Sequence, residues 1–162
     1  MSEISFVATD KPELLTNISF RSIIKHKTIS PNYNTNNSGI GVKDSEILLK
    51  WTPILKKVFK KLSIKEFVVD EIICPGYSFP AYDPLDEISV ILYPQLLDYI
   101  ENILKSDAIF LYYGTTDDFC ELEQKSKTVK MIDISIQKLK NKIKHGENIK
   151  ELKSYILYNF IL

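Results

Sequence analysis

Carboxylates are the residues of this chain whose types and spacing come nearest to chemistry. Asp83, Asp86 and Glu87 form one group, and Asp117, Asp118 and Glu121 form another. Acids this close in sequence can hold a hard cation such as Mg²⁺, or divide general acid and general base roles between them. The same spacing also arises on a solvated loop or a first helical turn. Asp117 and Asp118 in particular stand where a helix dipole favours negative charge, so capping competes with any chemical role. Other chemistries lack their residues. His26 and His145 lie far apart on basic stretches, and neither has a Cys or another His at metal-ligand spacing. The five glycines, Gly39, Gly41, Gly76, Gly114 and Gly146, build neither a phosphate-cradling loop nor a dinucleotide-binding fingerprint. Cys74 and Cys120 are the only thiols, and no nucleophile-elbow motif surrounds a serine. No catalytic residue, metal or cofactor is expected.

The charges are segregated along the chain, although the formal net charge is +0. Residues 1–64 hold ten Lys or Arg against five Asp or Glu, residues 65–124 hold two against thirteen, and residues 125–162 hold nine against three. The block balances of +5, −11 and +6 give the central block almost no local neutralisation. Two consequences are open. The flanking basic segments can fold against the acidic block and cancel it in space, or the block can stay exposed and steer a basic protein partner.

Within that block, Cys74 to Glu87 combines Pro75, Pro80 and Pro84 with Tyr77, Phe79 and Tyr82 and with Asp83, Asp86 and Glu87. Aromatic side chains give large contact area at small entropic cost, and prolines lower the cost of ordering, which is how interface anchors are built. The competing role is a satellite core in which the three aromatics tuck under the domain.

These residues need elements to position them. Ile4 to Ala8 reads as a strand, and Thr9-Asp10 with Pro12 suits the cap and first turn of a short helix. Ser19 to Ile29 is a second strand or an irregular crossing, and residues 30–41 gather turn formers into a mobile loop. From Asp44 to Leu62 apolar residues recur at helical spacing, with Trp51 as a core anchor and Pro53 kinking or dividing the helix. Phe67 to Ile73 and Ile88 to Tyr93 read as strands from their β-branched content. Pro94 then opens a helix to about Lys105, Ala108 to Tyr113 is a strand closed by Gly114, and Thr128 to Ile134 is extended. Helices fill Ser135 to His145 and Glu147 to Phe160, with Gly146 as the stop between them. The four strands at Ile4, Phe67, Ile88 and Ala108 are expected in one sheet packed by the Trp51 helix.

Together these imply a single globular domain over residues 1–162, an α+β sandwich of four to five strands and five to six helices. The acidic Met1-Ser2-Glu3 start and the broken apolar runs indicate neither an export signal nor a membrane span. Two unpaired cysteines, read as buried and reduced, fit a cytoplasmic protein. A neutral chain with a segregated acidic centre and no catalytic signature fits a module that binds a basic protein. The most concrete form is an immunity- or antitoxin-type inhibitor, because a toxin nuclease has a basic substrate groove that an acidic protein can occlude. The expected interface is Tyr77, Phe79, Tyr82, Asp83, Asp86, Glu87, Asp117, Asp118 and Glu121. The alternatives are a small enzyme using the carboxylates, with Mg²⁺, and a nucleic-acid-associated regulator working through Lys138, Lys140, Lys142 and Lys144.

Overall fold

The computed structural model describes residues 3–11, 53–58, 68–74, 81–116 and 118–162, with residues 3–5 and 68–74 described by backbone alone. The expected helix after Asp10, the segment 19–29, the loop 30–41 and Trp51 lie outside them. The chain has the α+β class that its sequence predicts. Strands β1 (Glu3–Thr9), β2 (Val68–Cys74), β3 (Phe110–Thr116), β4 (Lys130–Ser135) and β5 (Ile156–Ile161) form a mixed sheet in the order β2-β1-β3-β5-β4. β1 lies between β2 and β3, antiparallel to both, with Val7 opposite Asp70 and Tyr112. β5 is antiparallel to β3 and parallel to β4.

Helices cover both faces. Among the described residues these are α1 (53–58), α2 (Glu87–Lys105), α3 (Phe119–Lys125) and α4 (Ile136–Lys144), with a 3₁₀ turn at Ser126–Thr128. On one face, Leu96, Leu97 and Ile100 of α2 and Ile136 of α4 pack on Val7, Phe110, Tyr112, Tyr158 and Phe160. On the other, Leu55 and Val58 of α1 and Leu122 of α3 pack on Phe6, Ala8, Leu111, Tyr113 and Leu157. Each such side chain contributes about 2 kcal/mol on leaving water, and β3, buried on both sides, is the axis of both cores.

Two segments change type. Ile88 to Tyr93 is not a strand but the first half of α2. Asp86 caps the helix by accepting a hydrogen bond from the Ile88 amide, and Ser89, Leu92, Tyr93, Leu96, Leu97, Ile100 and Ile103 are buried at helical spacing. Pro94 lies inside this helix and leaves the Val90 carbonyl without its usual donor. Val90 is on the solvent side, where a backbone carbonyl freed by proline is least costly. The expected helix from Glu147 to Phe160 is also absent, and its second half is β5. Ile156, Tyr158 and Phe160 meet one core and Leu157 the other, so both faces of the strand are apolar and its period of two is masked. Four helices stand among the described residues, against the five to six expected.

Smaller corrections have local causes. Thr9 ends β1 and accepts a hydrogen bond from the Lys11 amide, while the Asp10 carboxylate accepts from the Ile109 amide at 3.0 Å and ties β1 to the start of β3. Gly114 continues β3 instead of closing it. A Cβ there would stand 3.0 Å from the Tyr112 hydroxyl, so glycine makes room for that ring. Gly146 is the helix stop its sequence suggests. At φ +68 it donates to the Ile143 carbonyl, and Glu147 donates to the Lys142 carbonyl, a Schellman ending for α4.

Candidate functional site

Of the nine residues expected at the interface, the six that are described do not form one surface. Tyr77, Phe79 and Asp117 lie outside the described residues. Tyr82 is a core residue, 5% exposed, in two backbone hydrogen bonds of 2.9 Å with Ile149 and with its ring 5.6 Å from that of Tyr93. It therefore cannot be an exposed anchor, and the satellite-core role holds for it. Asp83, Asp86 and Glu87 stand together before and within the first turn of α2. The Asp83 carboxylate accepts from the Leu85 amide at 2.9 Å, and its carbonyl accepts from the Asp86 amide, which folds residues 83–86 into a turn.

Asp118 and Glu121 belong to α3, on the opposite face of the sheet. Asp118 caps that helix by accepting from the Glu121 amide at 3.1 Å. The Glu121 side chain accepts from the Thr116 hydroxyl at 3.2 Å, and the same hydroxyl lies 2.7 Å from the Tyr155 hydroxyl. Burial raises the Tyr155 phenol above its ordinary value. An open depression of about 580 Å³ lies alongside, lined by Asp118, Cys120, Glu121, Gln124, Lys125 and Thr128. Cys120 is a free thiol and is exposed, which corrects the expectation of a buried one. These acids act as a cap and as a strand-end brace, and among the described residues no group of three or more His, Cys, Asp or Glu converges on a point that could hold a metal.

Part of the acidic block is cancelled by the basic C-terminal segment. Lys140 of α4 lies 2.8 Å from Asp98 and 3.2 Å from Glu101 of α2, and Lys105 lies 3.2 Å from Glu101. Gln137 adds a hydrogen bond of 3.1 Å to Glu101. Hydrogen bonds from Lys140 and then Lys105 hold the Glu101 carboxyl below its ordinary value, and Asp98 first among its partners holds the Lys140 ammonium above its own. Among the described residues the neutralising seam covers the C-terminal half of α2.

The N-terminal half carries what the sequence reading missed. Leu85, Ile88, Val90 and Ile91 are 91%, 49%, 43% and 61% exposed, a run of apolar side chains on and just before α2 with Asp83, Asp86 and Glu87 interspersed. Contiguous exposed apolar surface rimmed by charge marks interaction sites in soluble proteins. Read as a strand, this segment places Ile88, Val90 and Leu92 on one face. As a helix it buries Leu92 and Tyr93 and turns Ile88 and Ile91 outward together. The available signal was a run too apolar all round for a surface helix, since an amphipathic one needs a polar outer face.

Among the described residues no helix is long and apolar enough to cross a membrane. No family model, curated protein or solved structure matches the chain.

Proposed function

We propose that this chain is a protein-binding module, and that its contact surface is the N-terminal half of α2 with the turn before it. The observation that carries this reading is the exposure of Leu85, Ile88 and Ile91 beside Asp83, Asp86 and Glu87. Apolar side chains at the centre of such a patch supply the binding energy, and acids around them select a partner whose rim is basic. The convex face of a helix fits a groove, and the groove of a nucleic-acid-processing toxin is basic. The reading in its most concrete form is therefore an immunity- or antitoxin-type inhibitor that occludes such a groove.

The test is affinity capture from the native host followed by kinetics on the purified complex. The expected partner is a basic protein, and Ile88→Ser with Ile91→Ser speeds its dissociation by about tenfold or more while the chain stays folded, since loss of an interface anchor acts mainly on the off-rate. Capture of no partner, of an acidic one, or of one whose dissociation ignores both changes overturns the reading.

A further inference from the structure

We propose that β4 pairs antiparallel with β4 of a second copy of this chain, continuing one sheet across a two-fold axis. Among the described residues β4 is an edge strand, bonded to β5 alone, in an unbroken parallel register from Lys130 opposite Ile156 to Ser135 opposite Ile161. In a parallel pair alternate residues bond to the neighbour, so roughly half of a strand's residues aim their N–H and C=O groups outward. Natural edges guard such groups with proline, a bulge, a cover or projecting charge. β4 has no proline and no bulge, and Lys130 to Asp133 are all exposed.

Its two charges guard little. Lys130 sits at the first position. The Asp133 carboxylate accepts from the Asn159 side chain of β5 at 3.1 Å, which draws it inward along the sheet and away from the open edge. Between them Met131 and Ile132, 45% and 44% exposed, present apolar surface on opposite faces of the strand.

The occupant follows from charge and register. A strand with one lysine and one internally bonded aspartate gives no preference to an acidic or a basic partner strand. It does suit its own copy. Residues opposite each other in an antiparallel pair lie on the same face, so a two-fold axis at Ile132 sets Ile132 against itself, Met131 against Asp133 and Lys130 against Ile134. No like charges meet, and the contact is isologous, which closes at a dimer.

Sedimentation equilibrium of the full chain reads the association, and cysteine cross-linking reads its geometry. A concentration-dependent dimer is expected, and Ile132→Lys, which sets two lysines face to face, weakens it by about tenfold or more. In a Cys120→Ser background, Ile132→Cys is expected to form an intermolecular disulfide under mild oxidation much faster than Gln137→Cys on exposed α4. The cross-linking arm holds the proposal to account even if the lysine variant fails to fold. A chain monomeric into the millimolar range overturns the proposal, as does an Ile132→Cys variant no faster than the control. A dimer lost with Ile88→Ser and Ile91→Ser but kept with Ile132→Lys assigns association to α2 and overturns it too.

Discussion

The Tyr113 hydroxyl is buried with no hydrogen-bond partner, while Tyr155, whose ring meets that of Tyr113 edge-on at 6.2 Å, has two bonds to Thr116. A buried hydroxyl without a partner carries its full desolvation cost, roughly 1–3 kcal/mol, so removing it costs little or helps. Tyr113→Phe is therefore expected to leave the thermal midpoint unchanged or raise it by a few degrees. Tyr155→Phe, which breaks the Thr116 bonds, lowers stability by about 1 kcal/mol. Parallel thermal melts check the pair, and a Tyr113→Phe variant less stable than Tyr155→Phe is the adverse outcome. Tyr155 also holds φ at +62, a conformation that non-glycine side chains rarely adopt and that its hydrogen bonds help to maintain. None of this was legible in the sequence, where Tyr113 and Tyr155 are two of nine tyrosines. The capping role of Asp118 was legible, because an acid ahead of a short helical segment has few other local uses.

At the scale of elements, the seam between α2 and α4 makes stability depend on pH at both extremes. Glu101 has a lowered pKa in the folded chain. Its contribution is present above the unfolded value and is lost as pH falls through the folded one. Lys140 has a raised pKa, and its contribution is present below its unfolded value and lost as pH rises through the folded one. Stability from this cluster is thus flat near neutrality, falls in acid below the ordinary glutamate range and falls in alkali above the ordinary lysine range. The buried phenols of Tyr93 and Tyr113, both raised by desolvation, steepen the alkaline limb, because the unfolded chain ionises first. Lys140→Gln is expected to flatten the acid limb, as read by urea midpoints across pH, and an acid limb identical to that of the parent chain counts against the seam. This seam was half legible. A helix was expected at Ser135 to His145, with Lys138, Lys140, Lys142 and Lys144 scattered around it, and the opposite charge of the central block allowed for cancellation in space. The partners Asp98 and Glu101 needed the structure, because only the packing of α4 on α2 brings residues some forty positions apart into contact. The type of α2 itself was illegible at its start, since Ile88 to Tyr93 has strand composition, and tertiary burial of Ser89, Leu92 and Tyr93 outweighs that local preference.

For the molecule as a whole, charge segregation along the sequence becomes segregation by face. Asp83, Asp86 and Glu87 stand with α2 on one side of the sheet, and Asp118 and Glu121 stand with α3 on the other, because β3 runs between their helices and packs a different helix on each face. In sequence the two groups look like one acidic surface, and nothing in composition separates them. Their effects on a basic partner should therefore differ. Rim charges act on association through the field at the contact, screened over about 8–10 Å at ordinary ionic strength. The sheet and one helix layer separate the two groups by more than that, since packed layers are about 10 Å apart. Replacing Asp83, Asp86 and Glu87 by Asn or Gln is expected to slow association with the captured partner several-fold at low salt and to flatten its salt dependence. The same replacement of Asp118 and Glu121 is expected to leave both unchanged and to cost little stability, since Asn caps a helix about as well as Asp. Stopped-flow association at two ionic strengths, alongside urea unfolding of each variant, reads both effects. Equal slowing by the two sets of replacements makes the whole acidic block one interface and removes α2 as its location; slowing by the α3 set alone moves the contact to the opposite face.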